Sequence, residues 1–190
     1  SILLTPFDDL YADDYLMPMG NLREYQSGSD RAELIVITKS PKNISDELQL
    51  EIKNRLKLKS HQELYFSTIS YDEDLKGNNK PLTVSKLNNY KVLLITGIAN
   101  TLPLTQFLTE KGINYQHLKY KDHHHFDEKD ILKIKHEFNN IVAENKIILT
   151  TEKDYVRIFA DLENCYFISI ETIILNNKAD FNQKILNYVG

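Results

Sequence analysis

From Tyr90 onward the sequence alternates strand-like and helix-like segments without a break, and this alternation constrains the fold more than any other feature. Tyr90-Lys-Val-Leu-Leu-Ile-Thr96 is an apolar run of strand length. Gly97-Ile-Ala-Asn100 turns the chain, and a helix is expected from Thr101 to Lys111, stopped by Gly112. A strand at 114–120 follows, then a helix over 127–144 with Ile131, Ile134, Phe138, Ile141 and Val142 on its apolar stripe. Asp127 suits its N-cap, and Glu128 and Asp130 suit its first turn, where acids complement the helix dipole. Lys146–Thr151 and Cys165–Ile170 read as strands; Tyr155–Leu162 and Phe181–Val189 read as helices. Strands that alternate with helices form βαβ units, so the expected class is α/β, with a mainly parallel sheet flanked by helices.

The upstream part is less regular. Ile2-Leu-Leu-Thr5, Glu33–Thr38 and Glu63–Ser70 read as strands. Ser45 is placed to cap a helix whose apolar positions Leu48, Ile52 and Leu56 recur every fourth residue. Pro18 and Gly20 mark a turn, after which Asn21 could cap a short helix carrying Arg23 and Glu24. The stretch Tyr71–Pro81 is polar, with a hairpin signal at Gly77-Asn78-Asn79. The expected division is therefore residues 1–70, a linker with a hairpin over 71–90, and an α/β domain of Rossmann-like type over 91–190.

Charge and composition exclude several functions. A net charge of −4 and a pI near 5.9 lack the basic face of a dedicated nucleic-acid binder, and no nucleic-acid partner is expected. No apolar run approaches the roughly 18 residues that span a bilayer. One cysteine, Cys165, leaves no disulfide within the chain and suggests a reducing compartment.

Three polar turns follow strands: Gly97–Asn100, Lys121–His125 and Thr150–Asp154. In a parallel sheet the carboxyl ends share one edge, where open α/β folds place ligands. Asp122 beside His123 is a carboxylate that could fix an imidazole's tautomer and raise its basicity, which makes a proton carrier near neutral pH. Arg23 suits bidentate recognition of phosphate, with Glu24 able to take a cation or the arginine itself. The same residues also fit simpler roles: a solvated loop at Asp122-His123, a helix start at Thr151–Asp154, a tight turn at Gly97. His117, His123, His124 and His125 lack a zinc-site spacing, and no metal ligands are assigned.

Four motifs then stand in order: Pro18-Met-Gly-Asn-Leu-Arg-Glu24, Thr96-Gly-Ile-Ala-Asn100, Asp122-His123-His124 and Thr150-Thr-Glu-Lys-Asp154. Together they resemble the PxGxLRE, AGIxN, DHH and TTEKD segments of the tetraacyldisaccharide 4'-kinases of lipid A biosynthesis. The sequence contains no GxxxxGK[ST] loop. The resemblance therefore implies the C-terminal portion of such a kinase, with residues 1–70 as trailing strands of its P-loop kinase domain. It further implies ATP and Mg²⁺ as cofactors of the complete enzyme, with neither expected on this chain alone. The implied partner is a tetraacyldisaccharide 1-phosphate, met peripherally at the cytoplasmic face of a Gram-negative inner membrane. His123 would support a catalytic carboxylate lying outside this chain, with Asp122 orienting it. Gly20, Arg23, Glu24, Gly97, Asn100, Glu152, Lys153 and Asp154 would form the substrate and phosphate region. Two other readings remain from the residues: a metal-dependent DHH-type phosphoesterase, and a non-catalytic binding module.

Overall fold

Short parallel strands built from β-branched runs begin the fold. In the computed structural model, which describes residues 1–77, 80–159 and 162–189, β1 (Ile2–Pro6) pairs with β2 (Leu34–Thr38) in parallel, Leu4 opposite Val36. Helix α1 (Asp46–Leu56) is capped by the Ser45 hydroxyl, which accepts the Leu48 N–H, and it buries Ile52 and Leu56. Strand β3 (Glu63–Tyr71) then lies parallel to β2, Tyr65 opposite Val36.

The chain divides into two compact units, Ser1–Ser70 with Thr172–Gly190, and Tyr71–Glu171. The second unit begins where the linker was expected. Strands β4 (Asp74–Leu75) and β5 (Leu82–Thr83) pair antiparallel, and a 3₁₀ turn covers Val84–Asn89. Leu75, Leu82, Val84 and Leu87 are all buried against Val92, Leu94, Leu104 and Leu108. Segment 71–90 is thus a packed part of the second core and not a linker, because four apolar side chains anchor it. The Asn78-Asn79 part of the hairpin signal lies outside the described residues.

The second sheet is wholly parallel, in the order β7 (Tyr115–Lys119), β6 (Lys91–Thr96), β8 (Lys146–Thr151), β9 (Cys165–Ile168). Alternate residues of β6 serve opposite faces. Val92 and Leu94 meet Leu104 and Leu108 of α2 (Leu102–Glu110), whereas Leu93 and Ile95 meet Ile134 of α3 (Glu128–Asn140). A sheet covered on both faces needs such an uninterrupted apolar strand. Asp127 caps α3 through a reciprocal box with Asp130. The helix stops at Asn140, not at residue 144, because Ile141 turns extended and Lys146 Nζ bonds the Phe138 and Ile141 carbonyls at 3.0 Å each. Val142 is consequently exposed. Helix α4 (Glu152–Asp154) leads into a π turn over Tyr155–Phe159; residues 160–161 of the expected helix lie outside the described residues.

Residues 172–190 depart from the expected 91–190 domain and join the first unit. Strand β10 (Ile170–Ile174) pairs with the open edge of β3, giving the order β1-β2-β3-β10. Helix α5 (Lys178–Val189) lays Phe181 and Ile185 on Leu34, Val36 and Tyr65. Asn176 bonds β3 twice, accepting from Phe66 N–H at 2.8 Å and donating to Leu64 O at 3.1 Å. An apolar sheet face that α1 does not reach, and an unpaired edge, account for the return.

Candidate functional site

Strands β6, β7 and β8 run parallel, so their carboxyl ends share one edge and the turns that follow meet there. Tyr120 N–H donates to Thr96 O at 2.8 Å and keeps the β7 turn beside β6. Thr151 ends β8 and caps α4: its Oγ1 accepts the Asp154 N–H at 3.3 Å and donates to Asp154 Oδ2 at 2.9 Å. Asp154 is only 1% exposed. Its Oδ2 also accepts the Gly97 N–H at 2.8 Å. A Cβ on Gly97 would lie 3.2 Å from Asp154 Oδ1 and 3.4 Å from the Phe126 ring, so close approach is what calls for glycine. Among the described residues Asp154 Oδ1 has no hydrogen-bond partner.

The Asp-His loop is built differently from the expectation. Asp122 Oδ1 accepts the His123 backbone N–H at 3.0 Å and the Lys153 ammonium at 3.2 Å. The His123 imidazole lies 3.6 Å from Asp122 Oδ2, beyond hydrogen-bond reach, so the tautomer-fixing bond is not formed. His123 adopts a left-handed φ of 56° and its side chain is 72% exposed. Burial is the largest single influence on the Asp122 carboxyl and acts upward. The Lys153 bond, the charges of His123 and Lys153, and the His123 N–H together nevertheless hold it below the usual aspartate range.

The imidazole–carboxylate bond belongs to the next residue. His124 Nε2 meets Asp130 Oδ2 at 2.7 Å, its side chain 29% exposed, and its ring packs on Tyr120 and Phe126 at 4.7 and 4.9 Å. The His124 bond, ahead of all other influences, holds the Asp130 carboxyl below its ordinary value. Sequence reading missed this anchor because the pair is six residues apart and spans a loop and a helix cap. Of the other expected residues on this edge, Asn100 turns its Oδ1 onto the Leu102 N–H at 3.0 Å at the start of α2. Glu152 stands exposed in the first turn of α4. The structure thus joins Gly97 to Asp154 and Lys153 to Asp122, whose same oxygen takes the His123 N–H, whereas Asn100 caps its own turn and Glu152 stands exposed.

Gly20, Arg23 and Glu24 belong to the first unit. A Cβ on Gly20 would collide with Asp14 Oδ1 and the Tyr15 backbone. The Asp14 carboxylate there accepts the N–H groups of Tyr15 and Asn21 at 2.7 and 3.1 Å. No helix forms at Asn21–Glu24; a 3₁₀ turn over Gln26–Arg31 follows instead. Glu24 accepts from Arg31 Nη2 with both oxygens, at 2.9 and 2.8 Å, so its partner is Arg31 and not Arg23. Among the described residues Arg23 carries no ion pair, and with Glu24, Tyr25 and Arg31 it lines a cleft of about 550 Å³. Among the described residues no three His, Cys, Asp or Glu side chains cluster as a metal site would need.

The family model described as tetraacyldisaccharide-1-P 4'-kinase matches residues 1–190. The tetraacyldisaccharide 4'-kinase of Flavobacterium johnsoniae is 40% identical over 190 residues, covering 99% of this chain and 54% of that protein. Its counterpart in Flavobacterium psychrophilum is 42% identical over 192 residues with the same coverage. That of Bacteroides thetaiotaomicron is 37% identical over 207 residues, covering 100% and 54%. The chain spans about half the length of the curated relatives it matches. A crystal structure described as the "apo" form of LpxK from Aquifex aeolicus in complex with ATP superposes with a TM-score of 0.63 at 19% identity. It is covered over 51% of its length by 98% of this chain, a likeness of fold. With the family model matched from end to end and relatives at this identity, the chain belongs to the tetraacyldisaccharide-1-P 4'-kinase family.

Proposed function

We propose that the whole protein transfers the γ-phosphoryl group of ATP to the 4'-hydroxyl of a tetraacylated glucosamine disaccharide 1-phosphate, a step of lipid A biosynthesis. The observation that carries this reading is the convergence of Gly97, Asp122-His123 and Lys153-Asp154 on one carboxyl edge of a parallel sheet, in a chain of this family. Phosphoryl transfer asks little covalent chemistry of a protein and much positioning. The new bond joins the 4'-oxygen to phosphorus, the bond to ADP breaks, and the hydroxyl proton passes to a carboxylate outside this chain. His123, exposed and held on its backbone, supports that carboxylate; Asp122 sets the loop that carries it. Arg23, without an ion pair among the described residues, is suited to a phosphate in its cleft, with Gly20 allowing the tight turn beside it.

Magnesium, which the resemblance implies, finds no complete ligand set among the described residues, and Glu24 is engaged with Arg31. The reading puts the reaction at the cytoplasmic face of the inner membrane, met peripherally, because that is where the lipid substrate of such a kinase resides; among the described residues no helix is long and apolar enough to cross a bilayer. Radiolabelled ATP and tetraacyldisaccharide 1-phosphate presented to the full-length protein test the reading. Labelled lipid is the expected product, and Asp122→Asn should slow its formation. No transfer by the wild type would overturn it.

A further inference from the structure

We propose that Lys153 is the positioning residue of the Asp122-His123 loop, bridging it to the rooted turn after β8, and that it is not a phosphate contact. The kinetic consequence rests on the function proposed above; the geometric one does not.

Lys153 stands next to the most firmly held side chain on the edge. Asp154, buried, binds both the Thr151 hydroxyl and the Gly97 N–H, so the backbone at 153 is fixed to β6 as well as β8. From that base the ammonium reaches Asp122 Oδ1 at 3.2 Å, with the two side chains 35% and 39% exposed. The same oxygen receives the His123 N–H. His123 is a β-carbon-bearing residue at φ 56°, a left-handed conformation that such residues adopt rarely and that surrounding contacts must hold. Among the described residues the imidazole itself makes only the 3.6 Å approach to Asp122 Oδ2, so its direction follows from the backbone that Asp122 grips. His124 anchors the far side of the loop on Asp130, leaving Lys153 to secure the near side. Its charge, committed to Asp122, is directed at a carboxylate and not toward an open anion site.

The test compares Lys153→Met, which keeps the stem and removes the charge, with Lys153→Arg in the full-length protein. Amide exchange at His123, followed by NMR, should quicken about 3- to 10-fold in the methionine variant and stay near wild type in the arginine variant. In lipid phosphorylation, Lys153→Met should lower kcat by about 10- to 100-fold with KM for ATP within about twofold, and Lys153→Arg should recover most of the loss. Unchanged His123 exchange in Lys153→Met overturns the proposal. So does a raised KM for ATP at wild-type kcat, the signature of a phosphate contact. Should the wild type transfer no phosphate, the kinase reading fails alone, and the exchange comparison still decides the positioning role.

Discussion

Asp154 Oδ2 accepts the Gly97 N–H at 2.8 Å, which brings the turns after β6 and β8 into direct contact at a buried point. Asp154→Ala leaves that N–H and the Thr151 hydroxyl without their partner, and should lower stability by about 1–3 kcal/mol in urea unfolding. Gly97→Ala sets a methyl group 3.2 Å from Asp154 Oδ1, and overpacking of this kind typically costs about 1–3 kcal/mol. Wild-type stability in both variants would mean that the carboxylate does not hold the turns.

Asp130 makes stability depend on acid. Its carboxyl is held below the ordinary value in the folded state, chiefly by the His124 bond. The stabilisation is therefore fully present above the unfolded aspartate value of about 3.9 and is lost as pH falls through the lower folded value. Urea midpoints taken from about pH 6 to about pH 3 should drop more steeply in the wild type than in Asp130→Asn. Parallel curves would remove the His124–Asp130 pair from the account.

Cys165 is buried at the start of β9, and burial pushes its thiol up to about 12. At about pH 8 a maleimide should leave the native protein unlabelled and modify it fully once denatured. Rapid native labelling would contradict the placement of β9.

Much of this was legible because single residues carried local rules. Ser45, Asp127 and Thr151 cap the helices whose starts they mark in the sequence, since a cap depends on neighbours three residues away. The β6 run Val92–Ile95 read as a strand from its apolar residues alone, and all four are buried. Long-range choices were not legible. Thr172-Ile-Ile174 has strand character, but nothing local says that it pairs with β3, a hundred residues earlier, and not with the second sheet. In the site, adjacency suggested that Asp122 would grip the His123 ring; the left-handed turn gives it the His123 N–H instead, and a distant lysine fills the carboxylate. Glu24 likewise chose Arg31 over its neighbour Arg23, because the intervening 3₁₀ turn brings residue 31 back.

The chain holds no GxxxxGK[ST] loop, whose backbone N–H groups cradle nucleotide phosphates. Calorimetry of residues 1–190 with Mg-ATP should accordingly show weak binding or none. Micromolar affinity would require a phosphate cradle made by these residues themselves.

The role proposed for His123 is the centre of the account, and steady-state kinetics of the full-length protein tests it most directly. His123→Ala should lower kcat by roughly 10²–10⁴-fold, the range for a lost acid–base group, with an unchanged melting temperature because the side chain is exposed. His125→Ala, measured beside it, should be mild. Wild-type kcat in His123→Ala together with a large loss in His125→Ala would contradict the assignment outright.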